Sequence, residues 1–232
     1  MKKTFYLFAI ISSNLFYSQN EDTIVELYAD VTNDNKEEKI IIKELKEEGE
    51  YGKTRLLEIY KKNKNNWVII ASSKSAILSS EDGGMMGDPF DKENISVEKG
   101  IITIIHRGGS SWKWDTTHKY RFQNNKFELI GYETSNGKPC NYWEHISYNL
   151  STGKAIYKRE NEICEDYESE HQKESNKEEI FFFKLKKLPT IENINTVDYK
   201  ITSPKYKVTF LFYYLFRTQT FCHSCFNTKI AT

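Results

Sequence analysis

The stretch WKWDTTHKYRFQNNKFELIGYE, residues 112–133, decides the fold. Its even positions from Trp112 to Phe122 carry aromatic, threonine and histidine side chains, whereas its odd positions carry mostly charged ones. Because side chains alternate between the two faces of a strand, this pattern predicts a long strand with an aromatic inner face and a charged outer face. Asn124 and Asn125 then predict a tight turn, since asparagine tolerates positive φ, and KFELIGYE returns antiparallel.

The rest of the chain repeats this theme of strands joined by short turns. The runs TIVELYA, EEKIIIKEL, RLLEIYKK, NWVIIAS and EEIFFFKLKKL are typical of strands, and further hairpins are predicted to turn at residues 98–100 and 151–153. Apolar groups on both faces of the run from Ile101 to Ile105 predict a central strand covered on both sides. The sequence therefore predicts an all-β fold, an antiparallel meander of hairpins forming a sandwich or partial barrel. The side chains that we expect to be buried are Ile102, Ile104, Trp114, Tyr120 and Phe122.

The chain divides into three predicted parts. Lys2, Lys3 and the short apolar run that follows them predict a signal peptide over residues 1–19. Residues 22–200 are predicted to form a single β domain, which we expect to be exported to the periplasm or outside the cell and to lack a transmembrane segment. Residues 201–232 form a C-terminal tail of atypical composition, which is either a last strand or sequence in a shifted reading frame after Lys207.

Charge and cysteine content narrow the function classes. Lysine and arginine together number 33, as do aspartate and glutamate, so the chain has none of the basic surplus that nucleic acid binding requires. In an oxidising compartment a disulfide between Cys140 and Cys164 is expected, because both cysteines flank predicted strands.

The segment ADVTNDNKEEKIII has oxygen-bearing side chains at alternate positions, the arrangement that a hard cation such as Ca²⁺ prefers. Asn35 stands where a sharp turn is needed, but Ile41 stands where an EF-hand has its bidentate glutamate. The alternative is a plain acidic turn whose side chains cap their own backbone. The predicted ligands of a structural calcium ion are Asp30, Thr32, Asp34, Glu38 and the carbonyl group of Lys36.

This aspartate loop resembles the D-x-[DN]-x-D-G-x-x-[DE] loops between strands of FG-GAP repeats in integrin-like propellers. The resemblance implies calcium binding that braces the first strand pair. Thr32 and Asn35 depart from the pattern, because a carboxylate or amide and a glycine stand at those positions in the family.

Two glycine-rich segments form the second candidate site. GGMMGDPF, within residues 82–90, predicts a tightly shaped loop, and HRGGSSWKW, residues 106–114, predicts a strand broken by glycines. If both loops lie at the same end of the sheet, they frame one ligand-binding pocket. The predicted walls of that pocket are Asp82, Asp88, His106, Ser110 and Trp112.

The order of signal peptide, aspartate loop, GGxxGDPF and HxGGSxWxW is similar to that of a set of small exported bacterial proteins, over roughly residues 24–135. That resemblance implies no activity. A hydrolase is not favoured, since Ser110, His106 and a nearby aspartate lack a G-x-S-x-G elbow. We therefore expect an exported β domain with a structural or interaction role. The alternative is a ligand-binding module, with carbohydrate as a candidate ligand, that uses the loops of residues 82–90 and 106–114.

Overall fold

The computed structural model describes residues 22–164, 175–194 and 200–211, which form antiparallel strands, turns and two short 3-10 helices, Gly84–Met86 and Lys92–Asn94. The predicted signal peptide and residues 212–232 of the predicted tail lie outside the described residues. In chain order the strands are β1 (Asp22–Ala29), β2 (Glu38–Gly49), β3 (Gly52–Asn63), β4 (Asn66–Ser73), β5 (Ile95–Glu98), β6 (Ile101–Gly109), β7 (Lys113–Gln123), β8 (Lys126–Gly137), β9 (Tyr142–Asn149), β10 (Lys154–Asn161), β11 (Lys177–Phe182), β12 (Lys200–Thr202) and β13 (Thr209–Leu211).

The strands build three antiparallel sheets. A four-stranded sheet has the order β1-β2-β3-β4, a seven-stranded sheet has the order β11-β10-β9-β8-β7-β6-β5, and β12 pairs with β13. Neighbours in the sheets are neighbours in sequence, which is the meander that consecutive hairpins predict. None of the sheets closes on itself, and the described residues contain no α-helix. The predicted all-β antiparallel fold is thus confirmed, and the open sheets fit a sandwich.

The core lies between the inner faces of the two larger sheets. Isoleucine and leucine side chains of β2 and β3 join aliphatic and tyrosine side chains of β6, β7 and β9 in one buried cluster. Burial of each such side chain stabilises the fold by about 1.5–3 kcal/mol relative to exposure. Among the most deeply buried members are Ile40, Ile42, Leu57, Ile59, Ile102, Ile104, Tyr120 and Tyr148.

The hairpin of β7 and β8 follows the predicted alternation. Trp114 and Tyr120 are buried, and Asn124 and Asn125 turn the chain with φ of 53° and 57°. Phe122, which we expected to be buried, is only half-buried, because it pairs with Phe127 at the end of the hairpin beside the turn. The two phenylalanine rings lie 5.0 Å apart and cover each other there.

The prediction that the strand from Ile101 to Ile105 is covered on both sides is wrong. Ile102 and Ile104 are fully buried, but Ile101 and Ile105 are only half-buried. The strand, β6, lies next to the edge strand β5, and its outer face continues the polar outer face of β7, where Arg121 pairs with Ile101. Long basic side chains can cover neighbouring isoleucines there while their charges stay in water.

Two further contacts join distant parts of the chain. Cys140 and Cys164 form the expected disulfide, with their Cα atoms 5.1 Å apart, and it ties the turn between β8 and β9 to the segment after β10. The first part of the predicted tail forms the hairpin of β12 and β13, where Ile201 is buried and the Phe210 ring lies 5.5 Å from that of Tyr157. Residues 200–211 therefore pack on the β domain.

Candidate functional site

The two glycine-rich segments lie side by side at the open edge of β6. Strand β5 pairs with β6 only as far as Ile104. Beyond that point the carbonyl group of Pro89 accepts a hydrogen bond from the Arg107 amide at 3.0 Å, and that of Gly83 accepts one from the Gly109 amide at 2.8 Å. The loop of residues 82–90 thus continues the pairing and covers an edge that would otherwise be open to aggregation.

Glycine is required where this loop meets β6. A Cβ atom on Gly108 would lie 2.4 Å from Cζ2 of Trp114 and 2.8 Å from the carbonyl oxygen of Gly83. A Cβ atom on Gly83 would lie 2.0 Å from the carbonyl oxygen of Gly87, which itself has φ of +83°. The clustered glycines therefore permit a close backbone approach.

Asp88 is held by an arginine of the four-stranded sheet. Arg55, on β3, is only 2% exposed, and its Nη1 donates to Oδ1 of Asp88 at 2.7 Å while Nη2 donates to Oδ2. Nη1 also donates to the Leu78 carbonyl oxygen at 3.3 Å, and Glu44 lies 3.4 Å from Nη2. Arg55 is absent from the site residues predicted above. Its alternation with the inward-facing Leu57 and Ile59 of β3 is the signal that could have revealed a buried cation.

His106 is fully buried, and its Nε2 accepts a hydrogen bond from the Leu78 amide at 3.2 Å. Its ring lies 5.7 Å from that of Phe90. Burial, with smaller contributions from His118 and Arg55, holds the pKa of His106 well below its ordinary value. The imidazole is therefore neutral and serves as an acceptor that fixes the segment before the glycine loop.

Of the remaining predicted pocket residues, Asp82 holds the loop together, whereas Ser110 and Trp112 lie at its solvent-facing side. Oδ2 of Asp82 accepts a hydrogen bond from the Ser79 amide at 2.8 Å, which caps the start of the loop. Ser110 is exposed, and Trp112 is half-buried with its ring 5.3 Å from that of Tyr142 in an edge-on arrangement. Tyr142 also contacts Arg159, whose guanidinium carbon lies 3.8 Å from the centroid of the tyrosine ring.

The buried His106 predicts a loss of stability in acid. In the unfolded chain the imidazole titrates near 6.5, whereas the folded state keeps it neutral well below that pH. Below about pH 6.5 the unfolded state therefore binds a proton that the folded state does not, and the free energy of unfolding falls by up to about 1.4 kcal/mol per pH unit. Urea unfolding at pH 7 and pH 5 measures this fall, which His106→Gln should reduce. A folded-state NMR titration of His106 with a pKa near 6.5 would contradict the assignment.

The aspartate loop binds its own backbone. Oxygens of Asp30 accept hydrogen bonds from the amides of Asp34, at 3.2 Å, and Asn35, at 2.8 Å. The fully buried carboxylate of Glu38 accepts bonds from the amides of Val31 and Thr32, both at 3.1 Å. Asn35 makes the sharp turn with φ of 62°.

A lysine that the sequence analysis missed lies among the predicted metal ligands. Nζ of Lys61, on β3, lies 2.8 Å from Oδ2 of Asp34, 3.2 Å from Oγ1 of Thr32 and 3.8 Å from Oε1 of Glu38. The Lys36 amide donates to Oδ1 of Asp34 at 3.0 Å. In the described part of the chain, no three histidine, cysteine, aspartate or glutamate side chains are grouped to hold a metal ion. The loop oxygens instead surround a cation that the protein supplies, and this ion pair lowers the pKa of Asp34.

Calcium binding remains a prediction that Lys61 makes testable. We expect Lys61→Met to unfold at a lower temperature than wild type without calcium, because Asp34 and Glu38 lose their counter-ion. Millimolar calcium should then raise the melting temperature of Lys61→Met more than that of wild type, since the ammonium group competes with Ca²⁺ for the same oxygens. Sodium chloride at equal ionic strength controls for screening. Equal calcium responses of the two proteins, or none in Lys61→Met, would refute competition at this loop.

A third feature, which the sequence analysis did not single out, lies on the outer face of the four-stranded sheet. Strand pairing forms a row across the sheet in which Tyr28 lies opposite Lys39, Lys39 opposite Tyr60, and Tyr60 opposite Ile69. Two residues after Tyr60 on β3, Lys62 lies opposite Trp67. Paired residues point to the same face. We call this surface the aromatic face, and its members are Tyr28, Lys39, Tyr60, Lys62, Trp67 and Ile69.

The aromatic face keeps large apolar side chains in water. Tyr28 is 50% exposed, Trp67 36% and Ile69 48%, whereas the inner face of the same sheet is buried. The Tyr28 and Trp67 rings come from opposite edges of the sheet and meet with centroids 6.0 Å apart. Exposed apolar groups that cluster in this way mark binding surfaces more often than isolated ones do.

Comparison with known proteins adds no assignment: no protein-family model, no curated protein and no solved structure matches the chain. Within residues 22–164, 175–194 and 200–211, no helix has the length and hydropathy to cross a membrane.

Proposed function

We propose that the chain is an exported binding domain without catalytic activity, and that it binds carbohydrate on the aromatic face. The observation that carries the proposal is the contact of the exposed Tyr28 and Trp67 rings across the four-stranded sheet. Aromatic rings offer a large rigid area at low conformational cost, and Tyr and Trp have apolar bodies with polar ends. Four strands about 4.8 Å apart give this surface a width of about 14 Å, which suits an extended polymer better than a small molecule.

The side chains of the glycine loops that could form a hydrolase site have other contacts or lie apart. His106 is buried and bound to an amide, Asp88 is bound to Arg55, and Ser110 lies out in solvent. Each of the first two side chains fixes the loop of residues 82–90 against the sheet. These two residues therefore serve the scaffold.

Export is the second part of the proposal. The Cys140–Cys164 disulfide supports it, because such bonds persist in oxidising compartments. The charged and then apolar start of the sequence supports it as well, since this order is typical of a signal peptide.

A second candidate surface is the rim of the glycine loops, as the sequence analysis expected. The Trp112 ring against Tyr142, with Arg159 stacked on the same tyrosine, is the specific observation in its favour. Trp112 is less exposed than Trp67, because its ring packs against that of Tyr142. A ligand there would contact Trp112 and leave Trp67 untouched, which makes the two surfaces separable.

Trp67→Ala tests the proposal. We expect the wild-type protein to bind members of a polysaccharide panel in affinity electrophoresis, and Trp67→Ala to lose most of this retention, since Trp67 supplies the largest aromatic ring of the face. Val68→Ala is the matched control, because Val68 is the next residue of β4, is 47% exposed and pairs with Lys61 on the other face. Equal loss in both variants, or retention that Trp67→Ala leaves intact, would remove the aromatic face from the proposal.

A further inference from the structure

We infer that the aromatic face selects an acidic polysaccharide, a polymer whose sugar units carry carboxylate groups. This inference rests on the proposed function and names the chemical class of its ligand. It is carried by two lysine side chains that lie around the Trp67 ring. Nζ of Lys39 is 5.3 Å from that ring's centroid, and Nζ of Lys62 is 6.0 Å from it.

The two ammonium groups contact rings instead of carboxylates. Lys39 also lies 5.0 Å from the centroid of Tyr60, and within the described residues neither Lys39 nor Lys62 forms an ion pair. A cation over an exposed aromatic ring is held weakly and keeps N–H donors for another partner. These two lysines can therefore bind an anion without breaking an existing salt bridge.

The acidic groups of the same face are already engaged. Glu58 lies 3.0 Å from Nζ of Lys43 and accepts a hydrogen bond from the hydroxyl group of Tyr60 at 2.6 Å. Glu26 accepts one from the hydroxyl group of Tyr28 at 2.7 Å. These hydrogen bonds leave the charges of Glu26 and Glu58 in place, and Lys39 interacts electrostatically with Glu58. The lysines Lys39, Lys43 and Lys62 still outnumber these two glutamates, so the face combines rings with an excess of positive charge, which complements a chain of sugar rings that bear negative charge.

A polymer fits this surface better than an added peptide strand does. Peptides that extend a sheet use the backbone groups of an edge strand, which here is β1 or β4. The lysines and rings are spread over the face from β1 to β4, with Lys39 and Tyr60 on the two central strands. The ligand is therefore expected to lie across the strands.

Polygalacturonate and its methyl-esterified form are the probes, because they share a backbone and differ in charge. We expect wild-type protein to bind polygalacturonate about tenfold more tightly than the methyl-esterified form at low ionic strength, as two exposed ion pairs allow. Lys39→Gln/Lys62→Gln should lose this preference while its melting temperature stays that of wild type. Lys126→Gln/Lys154→Gln, which removes the same charge from exposed positions of the other large sheet, should keep it.

The outcomes separate this inference from the proposed function. Equal binding of both polymers that Trp67→Ala abolishes would leave the carbohydrate proposal standing and overturn the acidic class. Lysine-dependent binding of polyglutamate at the same strength as polygalacturonate would show that the surface reads charge alone, and it would overturn the sugar specificity. If the protein binds neither polygalacturonate nor its methyl-esterified form, but binds a neutral glycan in a way that depends on Trp67, the acidic class is also overturned. Binding of no member of the polysaccharide panel would overturn both.

Discussion

Asp88→Ala is expected to lower the free energy of unfolding by about 2 kcal/mol, because it leaves the guanidinium group of Arg55 buried without its main counter-ion. The Asp88 side chain is 45% exposed, so water offsets part of the cost that a fully buried pair would have. Arg55 is 2% exposed, and Asp88 accepts two of its hydrogen bonds. The variant also removes the acceptor of the Phe90 amide, which bonds Oδ1 of Asp88 at 3.0 Å. Glu44, 3.4 Å from the same guanidinium group, offsets only part of the loss. Urea unfolding followed by tryptophan fluorescence measures the change.

Glu47→Ala is the control for the Asp88 prediction. Glu47 pairs with Lys74 at 3.3 Å, but the two side chains are 71% and 59% exposed. Exposed pairs contribute about 0–1 kcal/mol, so this variant should unfold nearly as wild type does. A loss below about 1 kcal/mol for Asp88→Ala, comparable with a surface pair, would contradict the role of the Arg55–Asp88 pair in holding the glycine loop.

Cys140→Ser/Cys164→Ser is expected to lower the free energy of unfolding by about 3 kcal/mol. The disulfide closes a loop with a sequence separation of 24 residues, and it removes conformational freedom from the unfolded chain. Wild-type protein in reductant should show the same loss, which chemical unfolding with and without reductant measures.

The double cysteine variant supplies its own control, because reductant should not change its stability further. Peptide mass mapping checks the bond directly in protein produced in an oxidising compartment. Alkylation of both Cys140 and Cys164 without prior reduction would contradict the disulfide.

The sequence predicts the local part of this fold well. Alternation along β7 identifies its inner face, and Asn124 and Asn125 identify the turn, because strand periodicity and positive φ are properties of neighbouring residues. The same reasoning fails for Ile101 and Ile105. An isoleucine pattern shows that two faces are apolar, but it cannot show that only the face of Ile102 and Ile104 packs into the core.

The contacts that define the candidate sites join residues far apart in sequence. Lys61 reaches Asp34, and Arg55 reaches Asp88, only after β3 has paired with its neighbours. The aspartate-rich loop read alone suggests a metal ion and gives no sign of the Lys61 ammonium group, which comes from another strand. Trp67 is missed for a similar reason: residues 67–71 are apolar without alternation, and only their register with β3 places the ring on the outer face.

The central claim, that the ligand binds the aromatic face, is tested most directly by the indole N–H signals of the four tryptophans in a ¹⁵N–¹H NMR titration with polygalacturonate oligomers. Single Trp→Phe variants assign the signals. The account predicts that the Trp67 signal shifts progressively, while that of the buried Trp114 and that of Trp112 stay in place. A titration that moves the Trp112 signal and leaves Trp67 unchanged would contradict it and place the ligand at the glycine loops.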